Sequence, residues 1–157
     1  DGFLKKKHIK PRRDATNKKD LYFRNKIRNK LLPLLEKSYN KNIKETLARF
    51  SESAAYDYDF LLSCAAKAKK ACGRKPKTYA LLRLHTALRR IVFRLIIADL
   101  QGDTRRLSFQ HIREIEDLLL NRPDNSIVDL PKGISVIKKK GYLSFYLKVQ
   151  PRGVTPV

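Results

Sequence analysis

The sequence predicts a mainly α-helical protein: a bundle of about four to five helices with a small C-terminal β-hairpin. Three observations support this fold class. Apolar residues recur every three or four positions through most of the 157 residues, which is the spacing of an amphipathic helix. Gly73 and Gly102 interrupt that spacing where helices of ordinary length would end. Near the C-terminus the apolar period changes to two, which is typical of a strand.

Four helical segments follow from this pattern. The first carries Leu31 and Leu35, and Pro33 either interrupts it or begins the next helix, because proline lacks an amide donor. A long helix over 43–72 is the second, and a third is expected from Thr78, as its cap, to the residue before Gly102. Ser108 is expected to cap the fourth, since serine oxygens accept hydrogen bonds from first-turn amides.

The predicted hairpin lies in the last quarter of the chain. Leu143, Phe145 and Leu147 alternate with more polar residues, and residues 134–137 provide a partner strand. Lys140-Gly141 is the expected turn between the two strands, since glycine tolerates the positive φ of tight hairpin turns. The domain organisation expected from these elements is the end of another unit over 1–19, a helical domain over 20–125, and the hairpin with a C-terminal tail over 126–157.

The charge of the chain indicates a polyanionic partner. Its 36 Lys and Arg residues against 15 Asp and Glu give a formal net charge of +21. Clustered basic side chains gain affinity for phosphates through counterion release, so nucleic acid is the expected partner. A membrane surface is the rival, but no amphipathic helix offers a spare apolar face. The basic residues are spread over segments that also carry core patterns, which predicts a folded basic surface.

Catalytic and metal sites are not predicted. His8, His85 and His111 are scattered without metal-ligand spacing, so we expect no metal and no catalytic residue in this chain. Cys64 and Cys72 are interpreted as free thiols facing the core. The longest apolar run is interrupted by a charged residue, so we expect no membrane association through a spanning helix.

Two basic clusters are candidate binding sites. On one helix, Arg83, Arg90 and Arg94 would fall within about 40° of each other, with Arg89 at the flank. They are candidates for binding RNA phosphates, because guanidinium groups match phosphate oxygens; a solvated helix face is the alternative. The second cluster lies at the start of the first helix and consists of Asp14, Thr16, Asn17, Arg24, Asn25 and Arg28. The alternative to a binding role is that these residues only cap the start of the helix.

The second cluster belongs to a longer pattern, D-A-T-N-x4-Y-x-R-N-x-I-R-x3-L-P-L-L, at residues 14–35. This pattern closely resembles the segment that follows the catalytic domain in the tRNA(Ile)-lysidine synthase family. Residues 88–120 are similar to that family's helical domain, and residues 127–145 contain a similar D-L-P-x-G-x-x-V strand motif. The resemblance therefore spans most of the chain in three ordered motifs.

The resemblance implies a tRNA-modifying parent enzyme. Family members are ligases that use ATP to adenylate the wobble cytidine of tRNA(Ile) with a CAU anticodon, after which lysine displaces AMP to form lysidine. Their catalytic domain carries an S-G-G-x-D-S phosphate loop, which this sequence lacks, and the sequence has no Met. The chain is thus expected to be a C-terminal tRNA-binding fragment, with 1–19 a residual tail and linker of the catalytic domain.

Further expectations follow from the resemblance. The fragment would be cytoplasmic and inactive alone, would hold no cofactor, since ATP belongs to the parent enzyme, and would bind tRNA(Ile). The six residues of the second cluster would border the catalytic cleft, whereas the four arginines of the first rest on charge geometry alone. The alternative is a general basic helical nucleic-acid-binding or protein-interaction module with no enzymatic parent. A homodimer is left open.

Overall fold

The computed structural model describes residues 22–148. Their contacts separate two compact units, one that ends at Ala55 and one that begins at Tyr56. This division differs from the boundaries expected after residues 19 and 125, the first of which lies outside the described residues. The division into a residual tail over 1–19, a helical domain over 20–125 and a hairpin with a tail over 126–157 therefore stays a prediction.

The first unit begins with a helix whose geometry changes before Pro33. Helix α1 (Phe23–Lys26) passes through a π-helical turn (Ile27–Leu31) into helix α2 (Leu32–Ser38). The amide of Leu32 bonds to the carbonyl of Ile27, five residues back, and Pro33 lies in the first turn of α2. Since proline has no amide hydrogen, a wider turn just before it keeps the helical path continuous.

Helix α3 (Ile43–Cys72) is the long helix that the apolar period predicts. It ends before Gly73, whose φ of +65° is a conformation that glycine adopts without steric cost. Up to residue 60 its side chains are exposed except for Ile43, whereas Leu61, Ala65 and Ala68 pack into the core of the second unit. The C-terminal part of α3 is therefore anchored by packing against that core.

The helix expected from Thr78 to the residue before Gly102 is wrong as a single element. Helix α4 (Thr78–Leu82) ends at Arg83, and helix α5 (Thr86–Gln101) starts after His85. The Nδ1 atom of His85 accepts a hydrogen bond from the Ala87 amide at 3.2 Å, which satisfies one of the free amides of a helix start. Thr78 is not a cap, because its hydroxyl donates to the carbonyl of Gly141.

Helix α6 (Phe109–Leu120) begins as expected with Ser108 as its cap. The Ser108 hydroxyl accepts from the amide of His111, and Nδ1 of His111 accepts from the amide of Ser108. Gly102, with a φ of +82°, ends α5 as predicted. The local signals at these two ends were sufficient to place them.

The C-terminal hairpin is confirmed, and a third strand joins it. Strands β1 (Ile127–Asp129), β2 (Ile134–Lys139) and β3 (Tyr142–Leu147) form an antiparallel sheet in the order β1-β2-β3. Lys140 and Gly141 both have positive φ, as a type I′ turn requires. Strand β1 was not predicted, because three residues are too few to show a period of two.

One hydrophobic core joins helices α5 and α6 to the sheet in the second unit. The rings of Phe93 on α5 and Phe145 on β3 lie with centroids 6.0 Å apart. The sheet and these helices therefore share one hydrophobic core. The fully buried large side chains of this core are Leu81, Val92, Phe93, Ile96, Ile97, Ile112, Ile115, Leu118, Leu119, Ile134, Val136 and Leu143.

Candidate nucleic-acid interface

The described part of the cluster near the first helix is Arg24, Asn25 and Arg28. Arg24 and Arg28 are exposed, and the Arg24 guanidinium carbon lies 5.7 Å from the centroid of the Tyr22 ring. Asn25 is only 6% exposed, so its side chain has little surface with which to read a base edge. Asp14, Thr16 and Asn17 lie outside the described residues, and the assembly of all six at one cleft stays a prediction.

The four arginines of the other cluster do not form one exposed stripe. Arg83 follows the end of α4 and is not part of α5, because the helix restarts after His85. Arg89 is only 6% exposed, so it cannot present its guanidinium to an RNA phosphate. The prediction that Arg83 and Arg89 belong to an exposed arginine stripe on one helix is therefore wrong. Phosphate binding by Arg83 from its exposed position stays a prediction.

Arg89 and Arg90 share one carboxylate across the interface between α5 and α6. An Nη2–Oε1 distance of 2.8 Å joins Arg89 to Glu116, and Arg90 reaches Oε2 through Nη2 at 2.6 Å and Nε at 3.0 Å. Glu116 is itself only 8% exposed. Charged groups are buried at low cost only when they are paired and hydrogen-bonded, so this trio ties the two helices together.

Glu116 is ionised in this environment. Burial alone would raise the pKa of its carboxyl, but the hydrogen bonds from Arg89 and then Arg90 more than offset burial and hold the pKa below its ordinary value. Glu116 therefore neutralises part of the positive charge of α5. The sequence did not reveal this pairing, because Glu116 lies 26 and 27 residues away from its partners.

Arg90 is further fixed by an aromatic ring. Its guanidinium carbon lies 5.3 Å from the centroid of the Phe109 ring, within cation–π range. Both residues line a surface cavity of about 310 Å³ that also includes Glu116 and Asp117. Because carboxylates contribute to this wall, the cavity is of mixed charge and is a poor site for a polyanion.

Arg83 and Arg94 keep their charge available. Arg83 is exposed and Arg94 is half-buried. Within residues 22–148, neither guanidinium forms an ion pair with a carboxylate. Of the four predicted arginines, these two therefore have no carboxylate partner within the described residues.

A basic cluster that the sequence did not predict forms where two distant segments meet. The residues that follow α3 run beside β3: the Thr78 amide donates to the Gly141 carbonyl, and the Leu143 amide to the Pro76 carbonyl, both at 2.9 Å. This pairing brings Lys75 and Lys77 to the edge of the sheet. The separate runs RKPK and KKKG were visible in the sequence, but their proximity depends on a contact between residues more than sixty positions apart.

The lysines of the hairpin differ in availability. The Nζ atom of Lys138 donates to the carbonyls of Leu119 and Arg122, at 3.0 and 2.7 Å, at the C-terminal end of α6. This lysine therefore stabilises a helix end, where carbonyls lack helical partners. Lys139 and Lys140 are exposed and remain accessible.

Three further expectations concern thiols, metals and membranes. Cys64 and Cys72 are free thiols and are half-buried. Over residues 22–148, no group of three or more His, Cys, Asp or Glu side chains could hold a metal ion. No helix in this described portion has the length and apolar character needed to cross a bilayer.

Comparison with known proteins finds a matching family model and similar relatives. Residues 79–139 match the family model of the TilS substrate binding domain. The chain is 34% identical over 140 residues to the tRNA(Ile)-lysidine synthase of Clostridioides difficile, a match that covers 85% of this chain and 30% of that protein. It is also 34% identical over 144 residues to the tRNA(Ile)-lysidine synthase of Caldanaerobacter subterraneus subsp. tengcongensis, covering 88% and 31% respectively.

A third relative has a compound name. The bifunctional protein TilS/HprT of Listeria innocua is 31% identical over 139 residues, covering 84% of this chain and 21% of that protein. The chain thus spans about 30% of the length of the first two relatives. The two pairwise matches extend along most of the sequence. The family-model match includes α5, α6, β1 and β2 and all of α4 except Thr78, and it ends before β3. The chain is therefore similar to tRNA(Ile)-lysidine synthases along most of its own length, and its residues 79–139 match the TilS substrate-binding domain.

Proposed function

We propose that this chain is a tRNA(Ile)-binding part of a tRNA(Ile)-lysidine synthase and that it holds the RNA by phosphate contacts and shape. The match of residues 79–139 to the substrate-binding domain carries this proposal. The net charge of +21 supports it, because a folded basic surface gains affinity from the counterions that phosphates release. A-form RNA is recognised mostly through its backbone and shape, which suits arginines and lysines that are rigidly placed.

The parent enzyme would perform the chemistry. In this proposal ATP and lysine convert the wobble cytidine of a CAU anticodon to lysidine in the cytoplasm, and the S-G-G-x-D-S loop needed to hold ATP is supplied outside this sequence. The isolated chain would be inactive. Asp14, Thr16, Asn17, Arg24, Asn25 and Arg28 would border the cleft that the anticodon enters, with Arg24 and Arg28 providing accessible charge.

Arg83 and Arg94 are proposed to contact tRNA phosphates directly. Arg90 would contribute less, since Glu116 already pairs with its guanidinium, and Arg89 would act only within the core. This order of importance follows from burial and pairing rather than from position along the helix. This ranking replaces the prediction that the arginines form one exposed stripe.

Binding to three RNAs tests the proposal. A tRNA(Ile) transcript with a CAU anticodon, an elongator tRNA and an unstructured RNA of equal length would be titrated with the 157-residue chain. We expect the folded tRNAs to bind more tightly than the unstructured RNA. Equal binding of all three would support the alternative of a general basic nucleic-acid-binding module, and no binding would support a protein-interaction module.

Charge-neutralising variants test the arginine assignment. The double substitution Arg83→Gln/Arg94→Gln is expected to weaken tRNA binding by about tenfold, because two phosphate contacts are lost. Arg122→Gln is the matched control, since Arg122 is already paired with Asp117 at 2.8 Å. A loss with Arg122→Gln as large as that with the double variant would contradict the assignment.

A further inference from the structure

The cluster where the residues after α3 meet β3 contains a cavity that differs from the others. Its volume is about 290 Å³, and Lys75, Lys77, Tyr79 and Tyr142 line it together with small side chains. Among residues 22–148, no carboxylate contributes to its wall, whereas Asp117 lines the cavity beside Arg90. The site is therefore electropositive in its own lining and suits an anion-bearing ligand.

The two tyrosines of this cavity have exposed rings. Tyr79 is 59% exposed and Tyr142 is 39% exposed. The Nζ atom of Lys77 lies 5.8 Å from the centroid of the Tyr79 ring, so an aromatic face and a cation are presented side by side. A ligand with both a flat ring and a negative charge would satisfy the two features together.

The backbone holds this arrangement in place. Lys77 and Tyr142 form an antiparallel bridge, and the hydrogen bonds from Thr78 to Gly141 and from Leu143 to Pro76 flank it. The pairing also protects the edge of β3, which would otherwise carry free amide and carbonyl groups. Tyr142 is therefore positioned by this backbone pairing, and Tyr79 lies in the first turn of α4, directly after the paired residues.

The size of the cavity limits the ligand. A volume of about 290 Å³ lies at the lower end of the range for small-molecule sites. It suits one planar ring system with its attached phosphate. Proteins that hold unpaired RNA combine aromatic platforms for bases with basic groups for the backbone, which is the combination found here.

We propose that this cavity binds one unpaired nucleotide of the RNA, with Tyr79 and Tyr142 stacking on its base and Lys75 and Lys77 contacting the adjacent phosphate. This inference rests on the proposed function, because it adds a base-stacking subsite to a surface that otherwise holds phosphates. The occupant is a nucleotide outside a duplex, since a paired base has its faces covered by its neighbours.

Tyrosine variants and two short RNAs test the inference. The probes are a 12-nucleotide single-stranded RNA and a blunt 12-base-pair duplex that contains the same sequence. Tyr79→Leu and Tyr142→Leu are each expected to weaken binding of the single strand by about tenfold, the scale of one lost stacking contact. Binding of the duplex should change by less than twofold.

Two further variants separate charge from stacking. Lys77→Gln is expected to weaken both probes and to reduce the slope of log affinity against log salt by about 0.7 for the single strand. Tyr146→Leu is the matched control, since Tyr146 lies on the same strand but does not line the cavity. Circular dichroism would show that each variant retains its helix content.

The outcomes distinguish this inference from the proposed function. If the unmodified chain binds tRNA but Tyr79→Leu and Tyr142→Leu behave like Tyr146→Leu, the stacking subsite is wrong and the tRNA-binding proposal stands. Binding of the duplex but not the single strand by the unmodified chain would also overturn the subsite. If the unmodified chain binds none of the RNAs, tRNA included, both proposals fail.

Discussion

Replacement of Glu116 by alanine is expected to lower the free energy of unfolding by about 3–5 kcal/mol. The change leaves the buried Arg89 guanidinium without the carboxylate that lies 2.8 Å away, and it removes both hydrogen bonds from Arg90. An uncompensated buried charge is among the most costly defects in a core. Urea unfolding followed by circular dichroism would measure the loss, and the melting temperature should fall by about 10 °C or more.

Two variants control this prediction. Glu114→Ala removes a carboxylate that lies on the same helix, two residues away, and that forms no ion pair within the described residues. It should lower the free energy of unfolding by under about 1 kcal/mol. The double variant Arg89→Met/Glu116→Met should recover much of the stability, because apolar groups of similar volume replace a buried pair at little cost. Equal losses in the free energy of unfolding for Glu114→Ala and Glu116→Ala would show that the pairing of Glu116 with the two arginines adds no stability.

The effect should also depend on pH. The folded-state pKa of Glu116 is below its ordinary value of 4.5, so its stabilising contribution is complete above that value. As pH falls through the folded-state pKa, the carboxylate becomes protonated and the contribution is lost. The difference in stability between the unmodified chain and Glu116→Ala should therefore be full at pH 7 and shrink below pH 4.5.

Replacement of Phe93 by alanine is expected to cost about 3–5 kcal/mol and to disrupt helices and sheet together. Phe93 is fully buried on α5 and contacts Phe145 on β3, so its removal opens a cavity between the two layers. Far-ultraviolet circular dichroism would follow the helices during unfolding, and the NMR amide signals of β2 and β3 would follow the sheet.

Phe60→Ala provides the matched control. Phe60 is 68% exposed on α3, so its truncation should change stability by about 0.5 kcal/mol or less. If Phe93→Ala lost the sheet signal at a lower urea concentration than the helix signal, the helices and the sheet would be separate folding units. That result would contradict the single core of the second unit.

Elements with local signals could be predicted from the sequence. Gly73 and Gly102 end helices because they adopt positive φ, and Ser108 begins one because its hydroxyl accepts an amide hydrogen bond. The Lys140-Gly141 turn and strand β3 are likewise determined by a few neighbouring residues. The fold class followed from these signals.

Features that depend on distant partners could not be predicted. The apolar period continues smoothly through residues 83–85, so it did not reveal that His85 begins a new helix. Arg89 has the same charge as Arg94 in the sequence, and only its pairing with Glu116 shows that it is buried. The cavity beside Tyr142 depends on the pairing of β3 with residues that follow α3.

The salt dependence of tRNA binding tests the central claim most directly: that a folded basic surface of this chain holds tRNA by its phosphates. The affinity for the tRNA(Ile) transcript would be measured between 50 and 200 mM salt. With about six to ten phosphate contacts, log affinity should fall linearly with log salt, for a total loss of about 10³–10⁵-fold. No binding at 50 mM salt, or an affinity that does not change with salt, would contradict the claim.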